Sequence, residues 1–512
     1  MRCAYVPIDE RPCNTRLIDQ LVATNDQLDI LTVEKSMLGY KKKRANTQKI
    51  WDWLFQIEQV DGMVLSAEML LYGGLIPSRI HELSEEDQDQ FEKNMRRLKE
   101  KNPHTKMYAS SIIMRTPQYS SSDEEPDYYA DFGYELFTRA YLQDKKNREY
   151  LTTEEIDQLD EFVRKLPEDI VSDYESRRAF NSSVNELMLT LLAEGIIDTL
   201  VIPQDDSAEY GYTAIDQKKV LRKIAELNLE SQVLMYPGSD EVGSTLVTRF
   251  FNDQSKQTPT VAVEWSSTLG PSLIPMYEDR PFNETLKRHI RAIGAKQIDD
   301  KPQADIVLFY NVPGKNMQES WDQFTAKDPT YDAFREMVTF VDRIEEAIES
   351  GYRVAIADCA YSNGGDYVLL KLLDERCLIP KVVSYKGWNT NANTLGTTLA
   401  QGILATQTQS RAIDQNLYYH VLDDFLYQAI IRKDITDHVL PQCQLTYFDL
   451  KDHKRMINQM IDQRLVEEHK KYLPNHYKAT KAYKVTSDSP WNRMFEVDFM
   501  ITDTNERSGG VE

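Results

Sequence analysis

Short apolar runs recur along most of the chain, each closed by a polar cluster and followed by a segment with helical spacing. The runs predict strands at Arg2–Val6, Leu28–Val33, Gly62–Leu65, Lys106–Met114, Thr199–Ile202, Gln232–Tyr236 and Thr260–Val263. Three more follow at Asp305–Phe309, Arg353–Ile356 and Lys381–Ser384. Between them, Ile50, Trp53, Leu54 and Ile57 mark one face of a helix over 47–57. Ser84, with Asp87 three positions on, starts a polar helix to Lys101, and Asn14 is placed to cap a helix through Leu21. A long insertion, 120–195, opens with a loop through Pro126 and continues in three helices, at 127–142, 154–165 and 172–194.

Strands separated by helices pair in parallel through right-handed crossovers, so the fold class is α/β. One arrangement is a (β/α) barrel finishing near 315, the helical insertion 120–195 included. Another is two open α/β domains joined near 270–300, with Gly270–Pro275 as a seam. We take the barrel-like catalytic domain, 1–315, as the expectation. A second α/β part, 316–410, would then complete the site. The stretch 411–512 is mainly helical, with two strands of a small β layer expected at Cys443–Leu450 and Met494–Ile501 and fraying in the last six residues.

Composition narrows the function classes. The 512 residues carry 41% hydrophobic and 28% charged side chains, as ordinary globular proteins do, and no apolar run approaches a membrane span. The net charge of −22 opposes binding to nucleic acid or to an anionic membrane surface. Five scattered cysteines without C-x-x-C, and eight histidines without H-x-H or H-E-x-x-H, indicate neither a disulfide framework nor a zinc site. The first residues do not read as a signal peptide, so a cytoplasmic location is expected.

Polar groups collect at the predicted strand ends, which in a parallel fold share one rim. They are Asp9, Glu10 and Arg11 after the first strand, Glu68 and Tyr72 after the third, and Arg115 after the fourth. Asp205, Asp206 and Tyr210 follow the fifth, and Asp240 and Glu241 the sixth. Glu264 and Trp265, then Asn311, then Trp388 and Asn389 close later strands. Acids, amides and indoles suit a neutral polyol: carboxylates and amides take hydroxyls, and indole faces cover sugar C–H surfaces. The adjacent Asp205 and Asp206 stand out, because neighbouring like charges raise the pKa of one carboxyl and make it a usable general acid. Taken one at a time, each residue fits a loop cap or an ion pair better, and it is the pattern across many strand ends that points to a ligand. Arg11, Arg79 and Arg115 raise an anionic substrate as an alternative, with Asp9, Asp358, Asn363 and Asp366 as oxygen ligands of a hard cation. No phosphate-binding glycine loop accompanies them.

Four stretches carry a resemblance to a known family: Tyr5-Val-Pro-Ile-Asp-Glu-Arg-Pro-Cys-Asn14, Leu65-Ser-Ala-Glu-Met-Leu-Leu-Tyr-Gly-Gly74, Ile202-Pro-Gln-Asp-Asp-Ser-Ala-Glu-Tyr-Gly211 and Gly387-Trp-Asn-Thr-Asn-Ala-Asn-Thr-Leu-Gly396. The chain resembles, over nearly its whole length, the bacterial domain-of-unknown-function 4127 family, some of whose members are labelled glycosyl-hydrolase-related. A looser likeness is to retaining N-acetylhexosaminidases, barrels with an adjacent acid pair at a strand end. It implies that Asp205 orients the substrate's acetamido group and Asp206 protonates the leaving oxygen. The expected activity is exo-acting removal of terminal N-acetylhexosamine (β-GlcNAc or β-GalNAc) by substrate-assisted retention. No cofactor, metal, nucleic acid or membrane is expected to take part, and homo-oligomerisation is left open. A metal-dependent hydrolase or transferase of an anionic small molecule, or a non-catalytic sugar-binding protein, are the alternatives.

Overall fold

The computed structural model describes residues 1–405 and 410–504, and the chain end expected to fray lies outside them. The chain is α/β, with thirteen strands among the described residues: β1 Arg2–Val6, β2 Asp29–Thr32, β3 Gly62–Ser66, β4 Lys106–Ser110, β5 Thr199–Gln204, β6 Val233–Pro237, β7 Thr260–Trp265, β8 Lys296–Gln297, β9 Ile306–Asn311, β10 Val354–Asp358, β11 Ser384–Lys386, β12 Tyr483–Asp488 and β13 Asp498–Asp503. They do not close into a barrel. β1–β6 form one open sheet in the order β2-β1-β3-β4-β5-β6, and β7–β11 form another in the order β11-β10-β9-β7-β8. Within both sheets every pairing is parallel. The barrel expectation is therefore corrected. Hydrophobic runs separated by helices signal parallel pairing but do not say whether the first strand meets the last.

Two compact units contain these sheets. The first comprises 1–15, 27–255 and 277–279; the second comprises 16–26, 256–276 and 280 to the end. In the first unit the chain runs from β1 to one neighbour, β2, and then crosses to the other, β3. The second unit repeats this order, β8-β7-β9-β10-β11. In open parallel sheets a ligand crevice lies outside the carboxyl ends of the strands where the winding direction reverses, here between β1 and β3 in the first unit and between β7 and β9 in the second.

Apart from the half-exposed edge strand β2, the first unit's strands are almost wholly buried on both faces, which explains why they are continuous apolar runs rather than alternating ones. Leu200, Val201 and Ile202 of β5 are wholly buried, each contributing about 1.5–3 kcal/mol relative to exposure. On one face the helix Thr47–Gln56 presents Ile50, Trp51 and Leu54, its start capped by the Asn46 side chain accepting from Lys49 N. Trp51, not Trp53, is the buried indole. The helix Glu85–Lys101 starts where Ser84 and Asp87 predict, with Asp87 Oδ2 accepting from Ser84 N at 2.9 Å. The insertion forms the helices Tyr129–Arg148, Thr153–Lys165 and Glu168–Ala193.

In the second unit the two-stranded layer is β12 paired antiparallel with β13. Cys443–Leu450, expected as one of its strands, instead holds tight turns with a single bridge between Thr446 and Asp449. The mainly helical stretch includes Val421–Ile431, wound as a π-helix and closed by Arg432 N donating to Tyr427 O. No described helix is long and apolar enough to cross a membrane.

Candidate active site

The carboxyl ends of β1, β4, β5 and β6 bring six predicted residues into two ion networks of the first unit. In the first, Arg79 and Arg115 share four acids. Arg79 donates to Asp205 Oδ2 at 2.7 Å, to Glu124 Oε2 at 2.9 Å and to Glu125 Oε1 at 3.2 Å. Arg115 donates to Asp206 Oδ2 at 3.1 Å, to Glu124 Oε2 at 2.9 Å and to Glu125 Oε1 at 2.8 Å. Arg115 itself is held by its backbone: Arg178, from the helix Glu168–Ala193, donates to the carbonyls of Met114 and Arg115 and pairs with Asp216.

Among these four acids Asp206 is shifted strongly upward. Burial, and then the charge of Asp205, push its carboxyl up to about 7, against the opposing pull of Arg115 and Arg79. Asp206 also has the most open side chain of the six charged groups, 24% exposed against 11% for Asp205 and 2% for Arg79. Its backbone is left-handed, φ +38°, an uncommon conformation for aspartate that turns the chain away from β5 immediately after Asp205. Among the described residues no protein donor reaches Asp205 Oδ1, whereas Oδ2 is fixed by Arg79.

In the second network Arg11 lies between two aspartates. Its Nε donates to Asp9 Oδ2 at 2.8 Å and its Nη2 to Asp240 Oδ1 at 2.5 Å. Asn14 Nδ2 bridges the same pair, reaching Asp9 Oδ1 at 2.9 Å and Asp240 Oδ1 at 3.1 Å. Burial raises Asp240 to about 6; Arg11 opposes this, while Asp9 and Asp205 add to it. That influence of Asp205 ties the two networks together electrostatically. Beside them, Glu241 is wholly buried and rises to about 8, mainly through burial. Glu68, which opens a π-helical turn Glu68–Tyr72 after β3, is also raised by burial and accepts from Ser66 Oγ and Ile112 N.

Three first-unit residues do other work. Glu10 accepts from Lys41 N at 2.6 Å and ties down a loop. Tyr72, predicted to bind substrate, lies 2% exposed in the core with its ring 5.0 Å from His81 and edge-on to Phe180. Tyr210 turns toward the insertion: its hydroxyl donates to Glu149 Oε1 at 2.5 Å, and Arg148 lies 4.4 Å over its ring.

The remaining predicted residues belong to the second unit. Glu264 pairs with Lys301 and Arg343 at the surface, an arrangement worth little. Trp265 stacks on Tyr310, centroids 4.7 Å apart. Asn311 is wholly buried: it donates to Asp358 Oδ1 at 2.9 Å and Asp366 Oδ2 at 3.1 Å and accepts from Arg335. Trp388 lies near Phe495, and Asn389 takes a left-handed turn, φ +65°, whose carbonyl accepts from Asn363 N. Asp358 and Asp366, considered as cation ligands, are engaged instead by Asn311, Tyr385 and Arg335. Among the described residues no group of three or more His, Cys, Asp or Glu is placed to hold a metal ion.

Glu124, Glu125 and Arg178 are the site residues that the pattern of strand ends does not reveal, whereas Asn14 follows the first strand with Asp9, Glu10 and Arg11. Glu124 and Glu125 come from the serine-rich loop of the insertion, and nothing in an acidic loop marks it as folding over two arginines. Asn14 reads as a helix cap, but its side chain turns to Asp9 and Asp240.

No curated protein and no solved structure matches this chain. One family model does match, over residues 3–500. The chain belongs to that family, described as a protein of unknown function, DUF4127.

Proposed function

We propose that the first unit is an acid–base hydrolase of a neutral, hydroxyl-rich substrate, with Asp206 as its general acid and then its base. The observation that carries this reading is the Asp206 carboxyl, raised to about 7 on the open side of a network that fixes Asp205 beside it. A carboxyl with that pKa is part protonated and part ionised at neutral pH, so it can give and then take back a proton in one cycle. The substrate we propose is the glycosidic bond of a terminal β-linked N-acetylhexosamine. The acetamido oxygen attacks the anomeric carbon while the bond to the leaving oxygen breaks and Asp206 protonates that oxygen. Asp205 Oδ1 receives the acetamido N–H. Water then attacks the anomeric carbon as Asp206 takes its proton; the bond to the acetamido oxygen breaks, the acetamido group is regenerated, and configuration is retained. Likeness to barrel N-acetylhexosaminidases rests on the acid pair alone, since these strands form two open sheets.

Charge balance speaks against the anionic-substrate alternative. Arg11, Arg79 and Arg115 are each already paired with at least two carboxylates. An incoming phosphate or carboxylate would meet a surplus of negative charge. The test is turnover of a panel of aryl and alkyl β-N-acetylhexosaminides by wild type and Asp206→Asn. The variant should lose roughly 10²–10⁴-fold in rate on the alkyl substrates and much less on aryl ones with good leaving groups. Equal turnover by both proteins, or none by either, refutes the assignment.

A further inference from the structure

We infer that a small cavity above β1 and β3 in the first unit is a subsite for one uncharged hydroxyl group of a ligand. The cavity lies over the carboxyl ends of β1 and β3, where the winding of the sheet reverses. Its polar wall includes Asn14, Ser66 and Ser110; Val6, Val64 and Leu246 are among its apolar lining. None of the strand-end acids lines it.

Asn14 decides the chemistry. Its amide nitrogen faces two carboxylates, Asp9 Oδ1 and Asp240 Oδ1, at 2.9 and 3.1 Å. Carboxylate oxygens accept, so the NH2 must lie on that side and the orientation of the amide is settled by its partners. Both N–H bonds are thereby used, and Oδ1 points the other way. Asn14 is 1% exposed, and no donor among the described residues reaches Oδ1. Buried acceptors of this kind are rare without a partner. An acceptor-only oxygen selects a ligand that donates, which excludes a carboxylate or phosphate. The aliphatic walls of Val6, Val64 and Leu246 disfavour an ammonium group, whose full charge would lose its hydration there. A hydroxyl meets both demands: it donates to Asn14 Oδ1, accepts from a seryl hydroxyl, and carries C–H surface for the valines.

The wall is held rigid. Tyr5 OH donates to the Asn14 carbonyl at 2.9 Å and locks the loop after β1. The helix Val242–Ser255 comes so close that a Cβ on Gly243 would sit 2.3 Å from that hydroxyl oxygen. Asn14 also spans Asp9 and Asp240, the latter under the influence of Asp205. A ligand anchored at Oδ1 is thus attached to the network of Asp9, Arg11 and Asp240, which feels the charge of Asp205. The identity of the ligand rests on the polyol reading above; the subsite itself does not depend on Asp206 acting as an acid.

Calorimetric titration with N-acetylglucosamine and with glycerol, on wild type, Ser110→Ala and Ser110→Val, tests the inference, joined to a crystal structure of the N-acetylglucosamine complex. Ser110→Val fills the cavity with methyl groups, and the melting temperatures of both variants control for folding. The expected result is a sugar hydroxyl within hydrogen-bonding distance of Asn14 Oδ1, with affinity down at least tenfold in Ser110→Val and less in Ser110→Ala. Equal binding by wild type and a folded Ser110→Val, a sugar bound elsewhere, or tighter binding of the cationic probe ethanolamine than of glycerol would each overturn it. Hydrolysis of aryl glycosides without any hydroxyl at Asn14 would defeat the subsite and leave the proposed function standing. A hydroxyl at Asn14 with full activity in Asp206→Asn would do the reverse.

Discussion

Replacing Arg115 by glutamine removes one of the two arginines that Glu124 and Glu125 share, and the one paired with Asp206. Arg115 makes contacts of 2.8–3.1 Å to Glu125, Glu124 and Asp206, and its side chain is 11% exposed. A unit charge pair near 4 Å at an effective dielectric of about 20 is worth about 4 kcal/mol, or roughly three pH units. Solvent reaches Asp206 on one side and screens part of this. We expect its carboxyl to rise by about one to two pH units above the present value of about 7. The sign for stability follows. An aspartate whose folded pKa lies above its unfolded value of 3.8 binds more protons when folded. Its contribution is fully present below pH 3.8 and is lost as pH rises through the folded pKa. In Arg115→Gln the uncompensated acids should destabilise the protein by about 3–5 kcal/mol where they are ionised, and by less where they can take up protons. Urea unfolding at pH 5 and pH 8 measures the difference, and carbon NMR of labelled aspartate follows Asp206 directly. The loss should be clearly larger at pH 8. An equal loss at both pH values, with Asp206 still titrating near 7, would refute the reasoning.

Other residues offer further checks. Glu241→Gln should change stability by less than about 1 kcal/mol near pH 4.5, and should remove the fall in stability that the native carboxyl causes between pH 4.5 and about 8, seen by urea unfolding. Lys386 is buried, its amine lowered to about 7 by loss of hydration, and it donates to Gln401 and Asn416. Stability therefore gains as pH rises from 7 toward the unfolded value of 10.5, and a Lys386→Met thermal-melt series should lose that gain. Gly243→Ala forces a methyl onto the Tyr5 hydroxyl and should cost about 1–3 kcal/mol in urea unfolding, whereas Gly195→Ala meets no neighbour and is penalised only by its φ of +73°.

Strand positions were largely legible because buried parallel strands need unbroken apolar runs, and β5 with Leu200, Val201 and Ile202 is the clearest case. Closure was not legible. Whether such strands form a barrel or open sheets depends on which neighbours pair, and that is a matter of crossover direction rather than of composition. Short elements were lost for the same kind of reason: β8 is two residues long, and Lys381–Ser384, read as a strand, is a turn at Ile379–Lys381 followed by β11. At the site, charged residues beside strand ends announced Asp9, Arg11, Arg115, Asp205, Asp206 and Asp240. The same rule misplaced Tyr72 and Tyr210, since an aromatic ring near a strand end satisfies its apolar body by turning into the core or onto an insertion helix. The partners of the arginines, Glu124 and Glu125, come from a loop whose fold over the sheet leaves no local trace.

The central claim is that Asp206 gives and takes a proton in catalysis. Its most direct measurement is the pH dependence of kcat/KM for a β-N-acetylglucosaminide with a poor, alkyl leaving group, set beside the nitrophenyl compound. Wild type should lose activity on the alkyl glycoside as pH rises through about 7, the pH at which Asp206 gives up its proton. Asp206→Asn should abolish that limb and cost far more on the alkyl than on the nitrophenyl substrate, which scarcely needs protonating. A limb that survives in Asp206→Asn, or equal losses on both substrates, would contradict the claim.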